Sequence, residues 1–320
     1  MFDWHKKERP LQGLTGFGGG IASRLFGGPS AKAEGGTTFD DGGYTFHVFT
    51  STGTLEVYED ISVQFLIVGG GGSTYPNGAT APSYTGGSGG GGIVYNDNPQ
   101  PLTAGSFPVV VGERMGNASD PVAPEPETPV SGTHGNPSSF NGYTAGAGGH
   151  AGGFDKHGQN GGPGTSLDGR PGQGGGGGGG MAPPGNQRSG GSGYNPGGPS
   201  NTRSGSTIAS GGGGAFGGSG GTGTPTVGGA AADGVAIPWV PASYGTPGPT
   251  PGRWFGGGGA GAWYPITSFP QPRAGGAGGG ADSDAGPWPN PATNSVNNTG
   301  GGGAGNKSGA SGIVIVRYSI

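Results

Sequence analysis

The 320-residue chain contains no cysteine, which excludes a disulfide framework and any cysteine-ligated metal site. Charge is scarce: 14 Lys and Arg and 18 Asp and Glu amount to 10% of residues and a net −4. A mildly acidic chain without a basic cluster gives nucleic acid no electrostatic footing. Apolar residues reach only 29%, enough for one small side-chain core and too few for the whole chain. No stretch approaches the ~18 consecutive apolar residues that read as a membrane span. Lys6, Lys7 and Arg9 are not followed by a continuous apolar segment, so no secretory leader is expected.

What the chain has is glycine: 87 residues, with 30 prolines beside them. The glycines fall in runs, the longest being Gly174 to Gly180, with others at Gly69–Gly72, Gly89–Gly92, Gly211–Gly214, Gly256–Gly259, Gly278–Gly280 and Gly300–Gly303. Such a run has two options. It can remain a flexible coil, because glycine loses the most backbone freedom on ordering. Alternatively, it can extend into a left-handed helix of three residues per turn and ~3.1 Å rise, which makes no hydrogen bonds within itself. Its amides and carbonyls then need partners, and bare backbones can approach closely enough to provide them. Collagen is excluded, because no Gly-X-Y period exists.

Composition favours the coil, since Gly and Pro together exceed the roughly 25–30% typical of low-complexity chains. Three features favour order. Charge is too low for self-repulsion to hold the chain open. The spacers carry aromatic residues that a linker does not need. Apolar strands bracket the glycine region. Tyr44–Ser51, Thr54–Tyr58 and Ile61–Val68 read as strands. In the third, Ile61, Val63, Phe65 and Ile67 line one face, while Leu66 and Val68 make the other apolar, as in a strand buried on both sides. Ile93–Tyr95, Phe107–Val111 and Ser138–Thr144 read as shorter strands. Ile313–Val316, following Gly312, is expected to pair with Ile61–Val68 and so close the region on a sheet.

The expected architecture is all-β and irregular: a small antiparallel β-subdomain anchoring a bundle of polyglycine II helices with variable loops, plus an extended N-terminal arm. The boundaries are 1–36 for the arm, 37–145 for the β-rich anchor, 146–311 for the lattice and 312–320 for the returning strand. In the arm, Trp4, Leu11, Leu14, Phe17, Ile21, Leu25 and Phe26 recur at three-, four- and seven-residue spacings. They form an apolar stripe that cannot build its own core and is expected to dock on another protein, with a short helix from Ile21 to Phe26. The lattice loops are placed at Phe154–Asn160, Met181–Ser189, Tyr194–Ser210, Thr222–Phe255, Trp263–Arg273 and Ala281–Thr299.

Catalytic motifs carry no weight in this composition, where chance alone produces roughly six G-x-G-x-x-G matches. Ser88 and Ser219 sit in G-x-S-x-G frames, but neither lies between an apolar strand and a helix-forming segment. The carboxylates are unclustered, and His150 and His157 have only Asp155 nearby as a further ligand. No enzymatic activity, cofactor or metal is expected. The functional signal is aromatic: Trp239, Tyr244, Trp254, Trp263, Tyr264 and Trp288 sit in Pro-rich loops, where they can stack on sugars, anchor a protein partner or shield the lattice ends as local cores.

The segments YTFHVFTSTGTLEV (Tyr44–Val57), VQFLIVGGGG (Val63–Gly72), LTAGSFPVVVG (Leu102–Gly112), NPSSFNGYTAGAGG (Asn136–Gly149) and GGGGAGNKSGASGIVIVRY (Gly300–Tyr318) resemble, in this order, the glycine-rich domains of bacteriophage virion proteins, particularly of marine and cyanobacterial phages. The leader HKKERPLQGLTGFGGG (His5–Gly20) is similar to leaders of other marine phage structural proteins. Related tail-tip adhesins carry loops on a polyglycine lattice and bind host-surface receptors. The chain departs from them in its Pro-rich loops and in lacking a long shaft. The resemblance implies a virion location and a tail-fibre adhesin whose partners are other virion proteins and a host glycan or outer-membrane protein, with a trimer expected if it forms a fibre; the alternative is a capsid or tail decoration protein. Neither nucleic acid nor membrane insertion is expected.

Overall fold

Two kinds of backbone alternate in the computed structural model, which describes residues 31–74, 85–114, 136–153, 156–181, 186–201, 208–264, 273–283, 293–305 and 307–320. The arm residues Trp4 to Phe26, the expected helix at Ile21–Phe26 and Trp288 lie outside the described residues. Regular secondary structure among the described residues is strand alone. The strands are β1 (Ala33–Glu34), β2 (Thr37–Asp41), β3 (Tyr44–Phe49), β4 (Gly53–Val57), β5 (Ile61–Val68), β6 (Ile93–Tyr95), β7 (Gln100–Leu102), β8 (Gly105–Val110), β9 (Ser138–Phe140) and β10 (Tyr143–Ala145). Six short strands follow: β11 (Ser166–Leu167), β12 (Arg170–Pro171), β13 (Ile208–Ala209), β14 (Val235–Ile237), β15 (Arg253–Phe255) and β16 (Trp263–Tyr264). The last is β17 (Ile313–Ser319).

Two sheets stack face to face. One runs β1-β4-β8-β9-β10; the other runs β2-β3-β17-β5-β6, with β7 pairing β5 beyond β6. Alternation decides what each face meets. Ile61, Val63, Phe65 and Ile67 of β5 join Val314 and Val316 of β17, Leu55 of β4, Val109 of β8 and Phe140 of β9 in the core between the sheets. Phe65 and Phe140 meet edge to face with centroids 5.6 Å apart. The opposite face carries Leu66, Val68, Ile313 and Ile315, which pack under Ile237, Val240 and Phe255 from the β14–β15 hairpin. The expected pairing of the final strand with Ile61–Val68 is present, antiparallel, with Ile315 opposite Leu66. The same strand also pairs β3 on its other edge, Ile315 opposite Val48. β17 is therefore central, which is why its first four residues, Ile313–Val316, are apolar without interruption.

Three departures from the sequence expectation concern turns. Ser138–Thr144 is a hairpin rather than one strand, because Asn141 (φ 48°) and Gly142 (φ 79°) both take the left-handed region. That is the Asn-Gly turn that matches strand twist. Asp168 (φ 52°) and Gly169 (φ 74°) likewise join β11 to β12, and Gly42-Gly43 turns the unexpected strand β2 into β3.

The second kind of backbone is a polyglycine II bundle, built around residues 85–92. Residues three apart in this run donate to the same neighbour. Gly86, Gly89 and Gly92 donate to the carbonyls of Gly152, Gly149 and Gly146; Gly87 and Gly90 to Gly211 and Gly214; Ser88 and Gly91 to Gly303 and Gly300. The run accepts from Gly72 and Gly69, from Gly178 and Gly175, and from Gly259. It thus has six bonded neighbours. These form a ring in the order 69–74, 146–152, 174–180, 211–214, 256–261 and 300–303, each bonded to the next, for example Gly148 to Gly70, Gly211 to Gly179 and Gly303 to Gly72. A three-residue repeat with all polar groups turned outward is what an extended helix of this kind requires, and hexagonal packing is how every group finds a partner. Residues 156–162, 188–200, 228–232, 273–283 and 307–311 add a partial outer layer.

Close approach explains the glycine. A Cβ on Gly87 would stand 1.9 Å from the Gly259 carbonyl oxygen, and one on Gly89 2.0 Å from that of Gly175. The outer-layer helix at 156–162 has glycine where it faces the inner ring. Gly158 and Gly161, three apart, face Gly177 and Gly174 at 1.9 Å each, while Lys156, His157 and Asn160 between and beside them are partly exposed. Hence 156–160, 195–200 and 228–232, expected as loop, are lattice members.

Candidate binding surface at the free end of the lattice

The bundle has two unlike ends. β5 ends directly before Gly69, β10 directly before Gly146 and β15 directly before Gly256; Gly92 leads directly into β6 and Gly312 into β17. That end is continuous with the sheets. The opposite end is bounded by Thr74, Thr85, Gly153, Met181, Asn201, Ile208, Trp263, Ser283 and Lys307. At this end side-chain groups join the backbone bonds between the described residues. Thr74 Oγ1 donates to the carbonyls of Gly305 and, at 2.9 Å, Lys307. Thr85 Oγ1 donates to Gly305 at 3.2 Å. Ser210 Oγ donates to the Thr85 carbonyl at 2.8 Å and accepts from Ala262 N–H at 2.7 Å. Asn201 Oδ1 accepts from Ala209 N–H at 2.6 Å. Hydroxyls and a carboxamide, themselves buried, thus cross-tie neighbouring helices at this end. These residues escaped the sequence reading; the available signal was a small hydroxyl side chain where a glycine run begins or ends.

The aromatic candidates divide between the two ends. Trp239, Tyr244 and Trp254 lie at the sheet end. Trp239 and Tyr244 are half-buried against the core formed by β3, β5, β17 and the β14–β15 hairpin. The Arg317 guanidinium lies 4.1 Å from the Tyr44 ring centroid and 4.6 Å from that of Trp239, while its Nε and Nη2 donate to Gln64 Oε1 at 2.9 and 2.7 Å. Burial lowers the pKa of Arg317. Tyr244 stacks on Phe39 at 6.2 Å, and its carbonyl accepts from Arg253 Nε at 2.6 Å. Trp254 is 9% exposed, and its Nε1 donates to the Thr250 carbonyl at 3.1 Å. These three have the surroundings of packing residues.

Trp263 and Tyr264 form β16 at the free end, paired with Ala209 and Ile208. Trp263 is half-buried and its Nε1 donates to the Pro225 carbonyl at 3.0 Å. Trp288 falls in the segment joining Ser283 to Thr293, both at this end. The structure therefore brings together Trp239, Tyr244 and Trp254 on one side and Trp263 with Tyr264 on the other.

The three described histidines sit in separate backbone contacts. His150 Nδ1 is 3.0 Å from the Ser73 carbonyl, and His157 Nδ1 accepts from Ser189 N–H at 2.9 Å. His47 is fully buried in β3, with Nδ1 2.8 Å from the Gly35 carbonyl; burial lowers its pKa, opposed by that bond and by Asp40 and Glu34. Among the described residues no group of three or more His, Asp or Glu side chains is arranged to hold a metal ion, and no helix is long and apolar enough to cross a membrane.

No curated protein matches the sequence. A family model described as a glycine-rich domain matches residues 49–319, a span that takes in β4 to β17 and every member of the lattice. By that match the chain belongs to the glycine-rich domain family.

Proposed function

We propose that the protein is a non-enzymatic structural component of a phage particle whose free lattice end recognises a host surface, as a tail-fibre adhesin does. One observation carries this reading: the bundle has two unlike ends, one continued by strands into the sheets and the other, where Thr74, Thr85, Met181, Asn201, Ile208, Ser283 and Thr293 stand, away from them. Connecting segments carried by a rigid scaffold are where binding proteins place their contacts. The resemblance of Tyr44–Val57, Val63–Gly72 and Gly300–Tyr318 to phage virion proteins supplies the setting, and it assigns Met1 to Gly36 to attachment on the particle. Within this reading Trp263, Tyr264 and Trp288 are the aromatic contacts; Trp239, Tyr244 and Trp254 support the sheet end.

Adsorption tests it. Particles lacking the protein, or carrying Trp263→Ala with Trp288→Ala, are expected to lose host attachment while assembling normally. Unchanged adsorption of particles without the protein overturns the adhesin and leaves decoration of the capsid or tail as the reading.

A further inference from the structure

The two sheets finish differently at their edges. At the β10 edge of one sheet Thr165 caps the strand: its N–H donates to the Thr144 carbonyl at 2.8 Å, and its Oγ1 accepts from Thr144 N–H. The other sheet has β2 as an edge, and the register shows which of its backbone groups are free. Ile320 N–H donates to the Gly43 carbonyl, and the pairs that follow are Ser319 with Tyr44 and Tyr318 with Thr45. Bonding alternates along an antiparallel strand. Gly43, Thr45 and His47 therefore bond toward β17, while Tyr44, Phe46 and Val48 bond toward β2. Their partners there are Asp41, Phe39 and Thr37. Thr38 and Asp40 are left with amides and carbonyls turned away from the sheet, and both residues are exposed.

The side chains beside these groups describe a partner. Phe39 stacks on Phe46 with centroids 5.2 Å apart and on Tyr244 at 6.2 Å, so a strand laid against β2 would add one residue to an aromatic row. The charge on this edge is negative. Asp40 and Asp41 are exposed on β2, with Glu34 on β1 and Glu59 after β4. Burial raises the pKa of the neighbouring Tyr318, and the charges of Asp40 and Glu59 add to that. Among the described residues none of these four carboxylates forms an ion pair. Arg317, beside Tyr44, donates to Gln64 Oε1, and Arg253 donates to the carbonyls of Tyr244 and Gly245. Two copies of β2 paired with each other would crowd like charges onto one ladder, which disfavours self-pairing. A basic segment would be attracted.

We propose that β2 is a docking edge that takes an extended, basic segment of another protein as an added antiparallel strand. Lys or Arg would face Asp40 and Asp41, and an aromatic residue would face Phe39. Backbone bonds at Thr38 and Asp40 supply the pairing, and the carboxylates supply the selection. The site lies in the sandwich and is independent of recognition at the free lattice end.

Binding of the purified full chain is measured for the peptide TKRFTVT and for its acidic counterpart TDEFTVT. In the antiparallel register the Lys, Arg, Phe and following Thr face Asp41, Asp40, Phe39 and Thr38. The basic peptide is expected to bind at least ~10-fold more tightly, and less so as salt is raised. Its Arg and following Thr would direct their amides to β2, so N-methylation of those two should weaken binding ~10-fold or more. N-methylation of the Phe, whose amide faces away, should change it by no more than ~2-fold. Asp40→Asn with Asp41→Asn is expected to lose ~5-fold, in line with the small free energy of exposed ion pairs. Glu113→Gln, outside this edge, is the control that leaves binding unchanged. Thr38→Pro removes an amide that the sheet does not use, as edge strands tolerate, and should abolish binding at an unaltered melting temperature. Should that variant fail to fold, the methylated peptides decide the matter on the unaltered chain. Equal binding of both methylated peptides overturns strand addition and leaves an electrostatic contact alone. Self-association of the chain without peptide binding, abolished by Thr38→Pro, overturns it in favour of a second copy on the same edge. No binding of the basic peptide and no self-association overturns it outright.

Discussion

The two halves of this molecule solve the same problem with opposite materials. In the β-sandwich, side chains exclude water: Phe65, Phe140, Leu55 and Val109 fill the space between the sheets, and apolar burial supplies the stability. In the lattice there are almost no side chains to bury. Stability there comes from density of backbone hydrogen bonds and from dispersion between main-chain atoms packed without gaps. A sandwich tolerates rearrangement of side chains around a cavity, because neighbours relax in part. A lattice whose neighbour is a carbonyl oxygen 2.0 Å from where a Cβ would stand has nothing soft to give. The lesson is that the glycine-rich half, which looks the more permissive by composition, is the more demanding of identity.

Substitutions sharpen that contrast. The largest effect is expected from Gly89→Val. Its Cβ would collide with the Gly175 carbonyl oxygen at 2.0 Å, at a run ringed by six others, and a loss of about 4 kcal/mol or more, or failure to fold, should follow. A melting temperature within a few degrees of the parent would show that the lattice yields and would end the comparison. Phe65→Ala, in the sandwich, should cost about 3–5 kcal/mol by cavity formation, read from denaturant unfolding. Ser88→Ala removes a hydroxyl that donates to the carbonyls of Gly72 at 2.7 Å and Gly303 at 2.9 Å. Both carbonyls keep a backbone donor, from Gly303 and Ser88 respectively, so about 1 kcal/mol is expected. Gly218→Ala should change stability by no more than about 0.5 kcal/mol, because a Cβ there meets nothing within 4 Å. A large loss would mean that glycine is needed for something other than close approach.

Acid should act on the sandwich first. His47 is buried with its pKa held below the ordinary 6.5, so above that value both folded and unfolded states are neutral there and stability is unaffected. As the pH falls below 6.5 the unfolded chain takes up a proton that the folded one resists, and stability declines until the folded pKa is reached. Melting temperature measured from pH 8 to 5 should therefore fall at the acid end, and less steeply in His47→Asn. Amide exchange offers the complementary reading on the lattice: Gly89, Gly175 and Gly178 should be protected to a degree comparable with Val63 and Phe65. Exchange at free-peptide rates in the runs alone would separate the two halves and remove the platform.

Much of the sandwich was legible because side-chain alternation announces it. Ile61 to Val68 reads as a two-faced buried strand on its own letters, and Ile313 to Val316 as its partner. The hairpins at Asn141-Gly142 and Asp168-Gly169 were equally written in the chain, as turn pairs requiring φ > 0, but were submerged in a background where glycine is everywhere. The binding surface was only partly visible. Trp239, Trp254 and Trp263 look alike as tryptophans in Pro-rich loops, and nothing local says that the first two pack at the sheet end while the third stands at the other.

By itself, then, the amino-acid sequence determined the materials: apolar alternation for a small sandwich, bare backbone for the rest, and too little charge to keep the runs apart. Only the tertiary structure decided which run is central, which six surround it, and which residues share an end. The physical reason is that a glycine has no side chain with which to name its neighbour. Every run offers the same donors and acceptors, so partner choice passes to the elements that place the runs, namely the strands at their sheet ends and the hydroxyls of Thr74, Thr85 and Ser210 at the opposite end.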